Sequence, residues 1–563
     1  MVRLLSQRTF SFDEKETGMI TPATAPKKSV TDRLLTGIES VGNKLPEPFT
    51  LFTLLFLVTA ILSSIMAWQN IIIEVPGAEE PVAIKGFFSA EGLTWFTTTI
   101  GANYIGFPPL LTVITILLAI GIAEKSGFLA ASIRYTIGGA PRWILPYAVG
   151  FIGVVGSIMA DTAFLVVPPL AALAFKAAGR HPLAGLMGGF AAAGAGYSTN
   201  VIPTSLDALF AGITNAVLPT VPALVDSVAE VSPISNYYYN VVSAIVLSLV
   251  AGFVIDKFLE PRIVKDRVSW EEIQDGETED LNPTTRAQRV IVNEQVPPTT
   301  PNMVVEARLS KVEKKALGWA GISIFLTAVV VLVAVLIPES PWRNEDGGFL
   351  PKSPLLASIV FIIFLFFSIS GYVYGRVSGS IRGYKDVPTL MGEALKDMTG
   401  FLVLAFVLGQ FVALFNWSGI GSWIAVTGAE GLENLGMTGF PVIILFIILC
   451  SFLNLFITSG SGMWTIMAAV FVPMFGLLGF EPAFIQGAFR VGDSATQIVT
   501  PMNPYLFLVL AMVKKYEPQA GLGTMIARLL PFVFTFWLAW LAVLFVFYTF
   551  DLPMGPGAGI LID

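Results

Sequence analysis

One cysteine and one histidine stand among 563 residues. Cys450 can form no intrachain disulfide; in the apolar run IILCSF it reads as a small core residue. With His181 alone, a histidine-based metal site or a Ser–His triad within one chain is excluded, and this residue is expected on the surface of a cytoplasmic loop. Charge is scarce as well. Asp, Glu, Lys and Arg make up 13% of the chain, acids outnumber bases by 40 to 33, and no basic tract points to a nucleic-acid partner. In their place stands apolar sequence, 54% hydrophobic with a mean hydropathy of +0.74, the composition of a polytopic membrane protein. Residues 1–45 lack the apolar core of a cleavable signal peptide and read as a cytoplasmic tail, with Pro48–Trp68 as an uncleaved anchor.

A helix needs about 20 apolar residues to span hydrocarbon. Such runs occur at Pro48–Trp68, Phe107–Ala123, Ser235–Val254, Ala316–Ile337, Leu355–Tyr374, Met398–Phe415 and Met525–Tyr548. Two longer runs, 143–178 and 441–480, carry polar centres and fit hairpins that enter and leave on one side. Each is followed by an interrupted span, 182–215 and 482–513. The domain reading is a first membrane repeat over 46–255, a hydrophilic Pro-Thr-rich linker over 256–313, a second repeat over 314–553 and an external tail over 554–563.

Short loops rich in Lys and Arg stay in the cytoplasm. Arg33 and Lys44, then Lys125, Arg134 and Arg142, then Lys176 and Arg180 mark one side; 216–236 and 416–439 contain neither residue type. This pattern is consistent only if the first hairpin opens to the cytoplasm and the second to the outside. The expected fold is therefore an all-α polytopic membrane protein with nine transmembrane helices, two opposed re-entrant hairpins and two broken helices, N-terminus inside and C-terminus outside. SIMADTAFLVVPPL (157–170) has the plan of SGMWTIMAAVFVPM (461–474), and TNVI before Pro203 parallels TQIV before Pro501. Together these make an inverted repeat, whose sites lie where the halves meet at the bilayer midplane.

The stretch GAFRVGDSATQIVTPMNPY (487–505) concentrates polar groups that lipid cannot accommodate, so it must line a cavity or be buried in protein. Arg490 is the one arginine well inside an apolar span, with a fork that matches a carboxylate or sulfonate; a structural Arg490–Asp493 pair is the plainer alternative. Asp207 and Asp493 are candidates to bind an amine or take up a proton, and Trp464 either stacks an aromatic ring or is plain core. Small hard cations such as sodium suit the oxygens expected around Gly156, Ser157, Gly196, Thr199, Asn200, Thr458, Ser459, Ser494 and Thr496. The SGSG tip equally serves close helix packing, and Asp161 either caps its hairpin arm or binds an ion. Lys125–Arg142 and Ser418–Gly436 read as amphipathic connectors or plain linkers. A channel would want a continuous polar lining, and a hydrolase built on the GDS at Gly492–Ser494 would want a base; neither is found.

PTSLDAL (203–209), SGSGMW (459–464) and RVGDSATQIVTPMNPY (490–505) resemble the AbgT family of p-aminobenzoyl-glutamate transporters, a resemblance running from about Pro46 to Pro553. It implies a homodimer in the inner (cytoplasmic) membrane and substrate-site roles for Asp207, Ser461, Trp464, Pro482, Arg490, Asp493 and Pro501. The expected activity is cation-coupled secondary transport of p-aminobenzoyl-glutamate or a similar aromatic carboxylate by elevator-type alternating access, with proton-driven efflux of sulfonamide antimetabolites as the alternative. No enzyme activity and no cofactor beyond a coupling sodium ion or proton is expected. Related transporters carry Ser-Asn-Thr at the first hairpin tip, where this chain has Gly156-Ser157-Ile158, so ion coordination there would rest on Ser157 and backbone carbonyls.

Overall fold

A computed structural model describes residues 46–138, 140–268, 309–350 and 353–562, so the expected N-terminal tail and most of the expected linker lie outside the described residues. The described chain is helical apart from a two-residue antiparallel ribbon, β1 (Ile72–Ile73) with β2 (Val82–Ala83). In the first half run α1 (Pro48–Trp68), α2 (Ala90–Ile105), α3 (Pro108–Lys125), α4 (Phe128–Gly138), α5 (Leu145–Gly156), α6 (Thr162–Ala177), α7 (Pro182–Ala195), α8 (Ser205–Val217) and α9 (Tyr237–Val254). In the second half run α10 (Lys311–Leu336), α11 (Ile359–Ser378), α12 (Asp386–Asp397), α13 (Thr399–Trp417), α14 (Ile420–Asn434), α15 (Phe440–Asn454), α16 (Gly460–Leu477), α17 (Pro482–Ala495), α18 (Pro504–Val513) and α19 (Leu522–Thr549).

Eight helices among the described residues are long and apolar enough to cross a membrane; they include 90–125 counted as one and α16. The arms of the first helical pair (α5, α6), the helix α15 and one piece of each interrupted span (α7, α18) are shorter apolar helices. Proline sets several starts, because its missing N–H costs nothing in the first turn: α1, α3, α7, α17 and α18 all have Pro there.

Four sequence expectations need correction. Residues 69–105, which lie between the first two apolar runs and read as a loop, hold a helix, since Ser89 caps α2 by accepting from Gly92 N at 3.0 Å and Trp95 stacks on Trp417 at 4.7 Å. The TTTIGANY run hides this helix because it is too polar to read as a span. The hydrophilic linker begins later than Asp256: α9 continues through a π-turn (Ile255–Leu259) to Lys265, and α10 starts at Lys311. His181 is buried at 2% exposure rather than on the surface, with its backbone N–H donating to Glu260 Oε1 and its Nδ1 accepting from Leu183 N. The segment after Pro553 is no free tail. Met554 is fully buried, Glu481 N donates to Ile560 O, and Ile562 N donates to Gly479 O, each at 2.9 Å.

The helices form two packing groups. In one, α1 and α2 lie on α13, and α10 and α12 flank a core of α3 and α11. In the other, α5, α6 and α7 pack together with α9, while α15, α17 and α19 pack on one another and α16 lies between α8 and α14. The main contact between groups is α3 against α8. It is close because Gly212 faces Pro109, where a Cβ would come within 2.7 Å of backbone. The expected connectors are helices: α4 touches both groups, and α14 joins α13 to α16.

Candidate functional site

Two interrupted spans build the site. The first runs as helix α7, ends at Gly196 and restarts at Ser205; the second ends at Ala495 and restarts at Pro504. Pro203, Pro501 and Pro504 explain the gaps, since a proline cannot donate and pushes its predecessor out of helical geometry. At each restart a polar side chain takes up the freed amides. Asp207 Oδ2 accepts from Thr204 N at 2.7 Å and Thr204 Oγ1 at 2.8 Å, and Asn503 Oδ1 accepts from Tyr505 N at 3.0 Å.

The two spans meet at an ion pair. Arg490 Nη2 lies 2.9 Å from Asp207 Oδ1, with side chains 1% and 4% exposed. Arg490 Nη1 donates to Ser198 O at 2.6 Å, and its guanidinium sits over the Phe210 ring at 5.2 Å. Asp207 Oδ1 also accepts from Asn240 Nδ2 at 3.0 Å. Asp493, the partner considered from sequence, instead accepts from Ser198 Oγ at 3.0 Å, and Ser494 Oγ accepts from Ser198 N at 3.2 Å. The structure thus joins the halves by a cross-pair, each broken helix holding the other. Such a pair is costly to desolvate and costlier to break from one side.

Trp464 closes this centre from α16. It is fully buried, its ring 4.5 Å from Phe489 and 6.2 Å from Phe210, and its Nε1 donates to Phe210 O and Thr214 Oγ1 at 3.2 Å. The tip of the second helical pair reaches Asp493, since a Cβ on Gly460 would stand 3.3 Å from Asp493 Oδ2. Ser459 and Ser461 share that tip, their hydroxyls 3.3 Å apart, and Ser459 Oγ accepts from Gly462 N. Pro501 lies buried in the second gap. Pro482 does not join the cluster. It opens α17 eight residues before Arg490, roughly 12 Å along the helix.

Two oxygen-rich nests flank the pair. At the first helical pair, Ser157 Oγ donates to Val154 O and Thr199 O at 2.9 and 3.1 Å, and Asn200 Nδ2 donates to Val155 O and Ser157 Oγ at 2.8 Å. Gly156 and Gly196 border this nest, and Thr199 Oγ1 donates to Asn240 O at 2.8 Å. Asp161, weighed as a cap for α6, makes no side-chain cap bond there; Ala160 beside it takes φ 46°, a strained turn for a non-glycine. At the second, Asn454 Nδ2 donates to Thr496 Oγ1 at 2.9 Å and to Asp493 O, and Thr496 Oγ1 donates to Ser451 O at 3.2 Å. Thr458 O accepts from Gln497 Nε2 at 3.3 Å. No group of three or more His, Cys, Asp or Glu that could hold a metal occurs among the described residues, and the nests offer neutral oxygens. That chemistry suits a monovalent rather than a divalent ion.

The sequence profile described as the AbgT putative transporter family matches residues 33–296 and 297–562. The chain belongs to the AbgT transporter family. The two matched stretches fall on the two halves. A p-aminobenzoyl-glutamate transport protein of Escherichia coli (strain K12) is 35% identical over 533 residues, covering 94% of this chain and 98% of that protein. The crystal structure of the Alcanivorax borkumensis YdaH transporter superposes with a TM-score of 0.79 at 33% identity, covering 91% of this chain and all of that one. MtrF of Neisseria gonorrhoeae, which illuminates a class of antimetabolite efflux pumps, superposes with a TM-score of 0.80 at 34% identity, covering 93% and 100%. This AbgT chain is a multi-pass membrane transporter and not an enzyme, as its relatives are.

Sequence reasoning singled out most of the polar centre in this AbgT chain but missed Asn240, Asn454 and Gln486. With its amide turned to satisfy its surroundings, Gln486 donates from Nε2 to Thr214 Oγ1 at 2.8 Å and accepts at Oε1 from Arg490 Nη2 at 3.2 Å, and Asn454 Oδ1 is a buried acceptor with no partner. Asn454 carried a signal, a polar residue at the end of an apolar run. Asn240 carried none, because α9 otherwise reads as a plain span.

Proposed function

We propose that this protein is a cation-coupled secondary transporter of p-aminobenzoyl-glutamate or a similar aromatic carboxylate, and that the substrate carboxylate takes the place of Asp207 on Arg490. The buried Arg490–Asp207 pair carries this reading. Asp207 presents to the guanidinium the same two-oxygen anion that a carboxylate substrate would. Three hydrogen bonds from Thr204 and Asn240 anchor Asp207, whereas Arg490 has two acceptors besides the pair, Ser198 O and the Gln486 amide oxygen. On exchange, therefore, Arg490 moves and Asp207 stays. Trp464 leaves Phe489 and Phe210 to meet the aromatic ring, which requires the Ser459–Ser461 tip to withdraw.

With Arg490 and Trp464 both closed off, the described conformation corresponds to an occluded state. The α5–α9 and α15–α19 group would travel against the α1–α3 and α10–α13 group, with α4 and α14 as flexible ties, giving elevator-type alternating access. The Ser157–Asn200 and Asn454–Thr496 nests would hold sodium as co-transported ion. The first half of the chain would open to the cytoplasm and the second to the outside, in a homodimer in the inner membrane.

A second reading, proton-driven efflux of sulfonamide antimetabolites, is favoured by the likeness to MtrF and by two carboxylates, Asp207 and Asp493, next to the arginine. Uptake into proteoliposomes of labelled p-aminobenzoyl-glutamate and of a labelled sulfonamide, under imposed sodium or proton gradients, separates the two. Transport that follows neither gradient for either solute defeats both.

A further inference from the structure

Beneath the ion pair lies a group of buried polar atoms whose bonding capacity the pair does not use. Tyr239, Asn240 and Ser243 occupy one turn of α9 and are 0%, 4% and 0% exposed. Tyr239 Oη, Asn240 Oδ1, Ser243 Oγ and Arg490 Nε all lack a hydrogen-bond partner. Tyr239 and Ser243 are one helical turn apart and so share a face, and a Cβ on Gly487, one turn before Arg490 on α17, would stand 3.5 Å from the Tyr239 ring. Asn240 is tied to the same centre through its Nδ2 bond to Asp207 Oδ1 and its carbonyl bond from Thr199. Native interiors rarely leave such atoms unpaired, and ordered water commonly satisfies them with about three hydrogen bonds. The set suits water. Arg490 Nε donates, both hydroxyls donate or accept, and the arginine's charge disfavours a cation.

We propose that Asn240, together with a water molecule held by Tyr239, Ser243 and Arg490 Nε, is the positioning platform of the Arg490–Asp207 pair. Asn240 fixes which way Asp207 points, and the water fixes the edge of the guanidinium that carries Nε. The platform thereby sets how firmly Arg490 is held in its resting partnership, and so how readily a carboxylate replaces Asp207. This rests on the exchange reading above.

The test is a cycle of Asn240→Ala and Asp207→Asn in the full-length protein, read as equilibrium binding of labelled p-aminobenzoyl-glutamate in detergent. Losing a hydrogen bond to a charged group weakens the resting pair, so Asn240→Ala is expected to tighten binding about three- to tenfold. In the Asp207→Asn background the same change should have no effect. A purely structural role would weaken binding, and by the same factor in both backgrounds; either result overturns the platform. Ser243→Ala, a milder change, should also alter affinity in the wild type by a few-fold. An unchanged affinity, or a map at water-resolving resolution without density between Ser243 Oγ, Tyr239 Oη and Arg490 Nε, removes the water. If Asp207→Asn itself leaves affinity unaltered, the exchange reading fails first; if it tightens binding and Asn240→Ala does not, the platform alone fails.

Discussion

Replacing Asp207 by Asn keeps the shape of the side chain and removes the charge that Arg490 is paired with at 2.9 Å. The guanidinium would then be a buried cation held by Ser198 O, the Gln486 amide oxygen and the Phe210 face. Breaking a buried pair from one side costs about 3–5 kcal/mol, and the single amide oxygen of the variant can accept on one side alone, from Thr204 or from Asn240, so the loss should fall within that range. A carboxylate ligand supplies the missing charge. At a hundred times its dissociation constant a ligand stabilises by about 2.7 kcal/mol, so saturating p-aminobenzoyl-glutamate should return most of the lost stability. Freed from competition with Asp207, the ligand should bind at least about tenfold tighter, which is 1.4 kcal/mol of lost rivalry. Turnover should fall, because the resting partner that helps expel the carboxylate has gone. Thermal unfolding in detergent with and without ligand, beside binding and proteoliposome flux, measures all three. A variant as stable as wild type that binds more weakly would refute the exchange.

Other consequences follow from the corrected fold. Arg180 Nη2 is 2.5 Å from Asp256 Oδ1 and also pairs with Glu260, so Arg180→Met leaves two acids beside the π-turn and should cost roughly 3–5 kcal/mol; a thermal midpoint within error of wild type would contradict this. Burial pushes the His181 imidazole below its ordinary value, so the folded state binds fewer protons than the unfolded one once pH drops below about 6.5. Stability should therefore fall as pH falls through that value, and His181→Asn should flatten this part of the profile measured by thermal unfolding. Gly212→Ala forces a Cβ against the Pro109 backbone and should slow flux several-fold while leaving binding in detergent near wild type, since it burdens the sliding contact and not the site; weakened binding with normal flux would be the contrary result.

The gaps at 196–204 and 496–503 were legible because their cause is local: glycine, proline and polar residues inside otherwise apolar runs. The tips and arms of both helical pairs were legible for the same reason. Partnership across the halves was not. Arg490 has Asp493 three residues away, but only the fold brings Asp207 to it and turns Asp493 toward Ser198. Trp464 could be read as ring platform or core, and it is packed as core in this conformation. His181 was misjudged because a charged loop suggests surface, whereas Glu260 on the continuation of α9 covers it. Helix α2 escaped notice because its hold on the molecule comes from the Ser89 cap and the Trp417 stack, not from apolarity.

The most direct measurement compares binding of p-aminobenzoyl-glutamate with that of its analogue in which both carboxylates are amides, on the wild type and on Arg490→Met. A fully desolvated charge pair is worth about 2–5 kcal/mol, so the wild type should prefer the carboxylate by about thirtyfold or more, and the variant should scarcely distinguish the two. Equal discrimination in both proteins would mean that Arg490 holds the fold together and the carboxylate is recognised elsewhere.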